Sequence, residues 1–134
     1  MYQRLVKKAL LLGIIIFVVN LLANTFYWYT SIFGFDKFMH TLGGVFIVLI
    51  VAAFYTRELQ TKEKSEIFVS LVLAAFVVGL MWEYYEYVVQ AFIKGVQLAN
   101  ITDSIGDLIF DSIGGIVGAF FVIFSNKRYN TING

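Results

Sequence analysis

Seven side chains in this 134-residue sequence carry groups from which an ion site or an acid–base reaction can be built: Asp36, His40, Glu83, Glu86, Asp103, Asp107 and Asp111. Their spacing is helical. Positions 36 and 40 differ by about 40° around an α-helix, 83 and 86 by about 60°, and 103, 107 and 111 advance by about 40° each, so each set shares one helix face. The Asp103/Asp107/Asp111 ladder descends about 12 Å along its helix, deep into an otherwise apolar segment. Six carboxylates gathered at one place cannot all be ionised unaided, because like charges a few ångströms apart raise one another's pKa. Protonation, salt bridges to the neighbouring Lys37 and Lys94, or a bound cation would relieve the repulsion, and two lysines are too few for six acids. A divalent cation is the economical solution: oxygen ligands suit Mg²⁺, Ca²⁺ or Mn²⁺, and an imidazole brings Zn²⁺, Fe²⁺ or Mn²⁺ into range. The expected metal set is His40, Glu83, Glu86, Asp103, Asp107 and Asp111, with Glu86 and His40 as candidate catalytic groups and Asp36, Asn20 and Asn24 as further polar lining.

These residues lie in a chain that is 60% hydrophobic and 14% charged, whereas ordinary soluble domains carry about 25% charged residues. One small core cannot hide that much apolar surface, and the apolar runs are long enough to span a bilayer. The expected fold is therefore all-α: a single integral-membrane four-helix bundle over residues 1–134, with helices at about 9–29, 38–55, 67–92 and 103–124. The connectors are short, and no repeat or low-complexity tract interrupts them. The first stretch follows Arg4, Lys7 and Lys8 as a signal peptide would, but it is long and runs through Asn20 and Asn24 into Phe26-Tyr27-Trp28-Tyr29 without a small-residue cleavage site, so a retained helix is expected. The absence of cysteine excludes disulfides, thiolate metal sites and cysteine nucleophiles. A formal net charge of +1 gives no basic face for nucleic acid.

Lysine and arginine orient the bundle, since cytoplasmic loops carry their excess. With both termini cytoplasmic, Arg4, Lys7, Lys8, Arg57, Lys62, Lys64, Lys127 and Arg128 lie inside, and Lys37 and Lys94 lie outside. All seven chemical groups then converge on the extracytoplasmic half of the membrane, although lysine and arginine alone set the orientation.

Simpler roles compete for some of these residues. Asp36 and Asp103 could each cap a helix N-terminus, where an acid also complements the helix dipole. His40 could be a hydrogen-bonded core histidine, and Glu83 and Glu86 could rest in the wet interface beside Tyr84, Tyr85 and Tyr87. Neither capping nor snorkelling accounts for Asp107 and Asp111, and intramembrane carboxylates at that depth normally face the bundle interior and a partner. Asn20 and Asn24 could equally hold helices together. Gly43-Gly44 and Gly114-Gly115 with Gly118 allow close approach of helices 2 and 4, which would bring His40 towards the aspartates; a homodimer through Gly114/Gly118 is the alternative use.

The run Asp36-Lys37-Phe38-Met39-His40, then Trp82-Glu83 with Glu86, then Asp103-Ser104, Asp107-Leu108, Asp111-Ser112, Gly114-Gly115 and Gly118, resembles the VanZ-like and YjdF-like small bacterial membrane proteins. The likeness covers helices 2 to 4; Asp111 stands where asparagine is usual in the VanZ-like pattern, and Glu86 where glutamine is expected, which favours the YjdF-like side. The resemblance implies a multi-pass protein of a bacterial or archaeal cytoplasmic membrane with an outward-facing polar site, and it names no substrate.

Three functions follow from the residues. A metal-dependent membrane enzyme could act on a lipid-linked or phosphate-bearing headgroup, the cation polarising a phosphoryl or carbonyl oxygen. An ion- or proton-handling transporter component could use the same acids in transit. A structural or sensor protein could use a bound metal to tie the helices together. Ser104 and Ser112 lack the sequence context of a nucleophile elbow.

Overall fold

The computed structural model describes residues 2–94 and 101–125, with the side chains of residues 90, 93 and 94 outside the description. The Lys94 side chain, Lys127 and Arg128, used above for charge and orientation, therefore lie outside the described residues. The described chain is all-α, with α1 Tyr2–Thr25, α2 Trp28–Ser31, α3 Phe35–Phe54, α4 Glu58–Thr61, α5 Lys64–Lys94 and α6 Ile101–Ser125. Four of these helices, α1, α3, α5 and α6, are long and apolar enough to cross a membrane, and the topology is multi-pass.

Local chemistry explains where the helices break. The first span starts earlier than the apolar run suggests, because Arg4, Lys7 and Lys8 are good helix formers that extend α1 back to Tyr2. It stops at Thr25, since Tyr27 adopts a left-handed conformation (φ 58°) and the next turn is held by hydroxyls. Thr30 Oγ1 and Ser31 Oγ donate to the Tyr27 carbonyl at 3.0 and 2.9 Å. Gly34, also left-handed at φ 75°, then leads into α3 as its N-cap residue, with no side-chain cap. Asp36 thus falls in the first turn of α3 and not at its cap.

α3 is the central element: α1, α5 and α6 all pack on it, and α5 also packs on α6. The register shows the directions. Gly44 lies at Asp111 and Gly115, and Gly118 at Val48, so α3 and α6 run parallel. Gly79 lies at Asp111 and Ala75 at Gly115, so α5 is antiparallel to α6. One end of the bundle holds an apolar core from Leu5, Ala9, Ala52, Leu59, Ile67 and Ile123; near the other end Ala23, Phe35 and Met39 pack with Trp28 and Leu42.

Lipid is as apolar as leucine, so helices in a bilayer associate through close van der Waals contact and hydrogen bonds rather than hydrophobic burial. The exposed apolar side chains, among them Leu10, Ile14 and Phe17 of α1, Leu73 and Leu80 of α5, and Ile105, Ile109 and Val117 of α6, form the lipid-facing surface. Inside, glycine permits backbone contact between α3 and α6. A Cβ at Gly44 would strike the Asp111 carbonyl oxygen, and one at Gly114 would strike the Thr41 carbonyl oxygen. Gly114 and Gly118 are both buried against α3. Their close approach is used within the chain, between α3 and α6.

This packing predicts that Gly44→Val and Gly114→Leu each lower stability by about 1–3 kcal/mol or more, as overpacking of a tight interface does. Gly43→Ala, whose Cβ would meet only Asp111 Oδ1 at 3.9 Å, should be close to neutral. Thermal unfolding in detergent micelles measures all three, and equal effects would show that backbone contact is not the constraint.

Candidate functional site

Two parallel helices supply the centre of the site. The first two turns of α3 present Asp36, Lys37 and His40, and the first three turns of α6 present Asp103, Asp107 and Asp111, with Asp107 and Asp111 buried. The contact at Gly44 and Gly114 sets these turns side by side.

Lys37 reaches from α3 to α6. Its Nζ lies 2.6 Å from Asp103 Oδ1 and 2.6 Å from Asp107 Oδ1, and 3.7 Å from Asp36 Oδ2. Distances of 2.6 Å mark charge-assisted hydrogen bonds, and Asp107, with 6% of its side chain exposed, is the buried member of the pair. Asp103 is 58% exposed and anchors the ammonium at the rim.

His40 lies one turn deeper. Its Nδ1 is 3.3 Å from both carboxylate oxygens of Asp111. Which partner donates in that contact depends on the tautomer of the imidazole. The other nitrogen, Nε2, faces Asp107 Oδ1 at 3.6 Å and Asp36 Oδ1 at 3.9 Å, beyond hydrogen-bonding distance of either. Asp36, His40 and Asp107 offer three ligand atoms within 4.8 Å of one another and could coordinate a divalent metal.

α5 closes the site from the side. Gly79 lies directly against the Asp111 carboxylate, where any Cβ would strike Oδ2. One turn on, Glu83 lies within electrostatic reach of Asp107 and His40, and its buried Oε1 has no hydrogen-bond partner among the described residues. Glu86 Oε1 accepts a hydrogen bond from Trp82 Nε1 at 2.9 Å, on an exposed part of the helix. Glu83, Glu86, Asp103 and Asp111 lie outside the three-ligand group, whereas Asp36, expected only as lining, is within it.

Asn20 and Asn24 form a separate network on α1. Asn24 Nδ2 donates to the Asn20 carbonyl at 2.8 Å and to its Oδ1 at 3.2 Å, and the Tyr29 hydroxyl donates to Asn20 Oδ1 at 2.7 Å. Burial, then the charges of Asp36 and Glu86, push the Tyr29 phenol above its ordinary pKa, so it remains a donor. Ser112 Oγ donates to the Leu108 carbonyl of its own helix at 2.8 Å.

The sequence presents Lys37 as a neutralising charge only and does not show that its ammonium donates hydrogen bonds to both Asp103 and Asp107. A lysine beside Asp36 at the start of a span, facing a ladder of acids, was the available signal. Gly79 was also missed, although its four-residue spacing from Glu83 puts both on one face of α5. Nothing in the sequence marked Tyr29 as the hydrogen-bond partner of Asn20.

Because Gly79 and Asp111 touch, their substitutions should not be additive. Gly79→Ala should cost about 1–3 kcal/mol in the native background and markedly less in an Asp111→Ala background. A thermal-unfolding double-mutant cycle reads the difference, and strict additivity would mean that α5 does not press on this carboxylate.

No curated protein and no solved structure matches the chain. A family model described as "Predicted membrane protein (DUF2238)" matches residues 2–128, which takes in all four long helices and every residue of the site. The chain belongs to the DUF2238 family.

Proposed function

We propose that this protein binds a divalent cation through Asp36, His40 and Asp107 at the extracytoplasmic end of the bundle, and presents it to a phosphate-bearing lipid or lipid-linked headgroup. One observation carries the reading: Asp111 holds His40 by Nδ1, leaving Nε2 directed at two carboxylate oxygens. A metal-bound histidine commonly has its other ring nitrogen held by a carboxylate, which fixes the tautomer and makes the ligating nitrogen more basic. Metal–ligand bonds of about 2.0–2.2 Å place neighbouring donors roughly 3.0–3.5 Å apart, so the observed separations of 3.6 and 3.9 Å need only a small contraction. One imidazole with two carboxylates suits Mn²⁺, Zn²⁺ or Fe²⁺ better than Mg²⁺.

Three protein ligands leave coordination positions open. A phosphoryl oxygen entering one would be polarised, and a water in another would lose a proton more readily. Glu83 and Glu86, outside the three-ligand group, are the carboxylates left over for the role of proton acceptor. The excess of lysine and arginine in the α1 N-terminus, the 57–64 connector and the chain end supports a cytoplasmic position for both termini. A second reading, proton sharing in transport, draws on Lys37, whose ammonium already compensates Asp103 and Asp107.

Elemental analysis of detergent-purified protein decides between them. Wild-type protein should carry Mn, Zn or Fe in stoichiometric amount, and an Asp36→Asn/Asp107→Asn variant handled identically should lose it. If neither retains metal and added divalent cations do not raise thermal stability, the cation reading falls and proton sharing takes its place. Orientation has its own check: a C-terminal reporter that functions only in the cytoplasm should be active, and an inactive one would invert the site.

A further inference from the structure

One oxygen in the site is claimed twice. Asp107 Oδ1 accepts the Lys37 ammonium at 2.6 Å and is also the atom that faces His40 Nε2 at 3.6 Å. A cation bound between Nε2 and Oδ1 would therefore lie at contact range from the ammonium. Two cations that close, in a place where Asp107 is almost inaccessible to water, repel strongly.

We infer that Lys37 is the resident counter-ion of the site, and that a divalent cation binds by displacing the Lys37 ammonium from Asp107. This rests on the proposed metal reading and adds its regulation: affinity is set by exchange of one cation for another, not by filling a preformed cage. Three features support exchange. Asp103 Oδ1 holds the same ammonium at the exposed rim, so the lysine has a second anchor when it leaves Asp107. The lysine stem lies against Gly106, where a Cβ would approach Cε to 3.3 Å and Nζ to 3.5 Å, and the absent side chain leaves room for the stem to move. The buried Glu83 Oε1, unpaired among the described residues, is an acceptor that the lysine does not satisfy.

Exchange also defines the binding mode. Removing the resident charge should tighten metal binding, whereas a lysine that merely braces the helices would, when removed, weaken it. The released ammonium becomes more available to solvent than the 23% side-chain exposure it has in the ion-paired arrangement.

The experiment is Mn²⁺ titration by calorimetry of the detergent-solubilised full chain, comparing wild type with Lys37→Met and Lys37→Arg. Displacement predicts that Lys37→Met binds Mn²⁺ at least tenfold more tightly than wild type, while Lys37→Arg, which keeps the charge, does not. Equal or weaker binding by Lys37→Met, with wild type still binding, overturns the displacement and leaves the metal reading standing. No binding by either protein overturns both. Wild-type protein provides a second readout should the Met variant not accumulate. Acylation of Lys37 by a small amine-reactive ester, followed by mass spectrometry with Lys7 and Lys8 as internal references, should increase several-fold when Mn²⁺ is added. Unchanged Lys37 labelling in protein shown to have bound Mn²⁺ would equally overturn the displacement.

Discussion

Because neither Gly44 nor Gly114 carries a Cβ, the backbones of α3 and α6 meet directly, and that contact decides which side chains can share one end of the bundle. The two helices run parallel, so their first turns lie at the same level, and Lys37 and His40 of one face Asp103, Asp107 and Asp111 of the other. A larger residue at either glycine would separate the axes. A lysine bond of 2.6 Å and a histidine contact of 3.3 Å do not survive a shift of an ångström or more. In a bilayer this matters doubly, since unpaired ionisable groups there are costly.

The arrangement solves a charge problem in layers. At the rim, exposed Asp103 and half-buried Asp36 share Lys37 with buried Asp107. One turn below, His40 touches Asp111 through one nitrogen and turns the other back towards Asp36 and Asp107. α5 adds Glu83 and Glu86 from the side and uses Gly79 to make room for Asp111. Lys37 thus serves the three acids nearer the rim and His40 contacts the deeper Asp111, which separates the roles that identical side chains on one helix face would otherwise share.

Much of this was legible in the sequence, and the reason is periodicity. Apolar runs of membrane length give four long helices, and acids at intervals of three and four residues give inward faces. Paired glycines on helices 2 and 4 indicate close packing between them, and the structure has that packing. Backbone exceptions were not legible. The break at Tyr27 comes from an aromatic residue in a left-handed conformation, for which no glycine, proline or asparagine gave notice. Composition also hid the partition of the acids. Nothing in the spacing distinguishes Asp107, bonded to lysine, from Asp111, bonded to histidine, because that difference depends on how far α6 is displaced along α3. For Asp36 a cap and a place in the polar lining were equally open, while Gly34 takes the cap position and leaves the carboxylate free to turn towards His40.

The chain order of the site has a consequence for biosynthesis. Lys37 and His40 belong to a span made before α6, while their partners Asp103, Asp107 and Asp111 follow 66 to 71 residues later. Until α6 arrives, α3 enters the bilayer with an ammonium and an imidazole whose only acidic neighbour nearby in sequence is Asp36. Lys37 can snorkel from the helix end in the interval, but His40, one turn deeper, has less freedom to do so. The polar centre therefore comes into being only when α6 reaches α3.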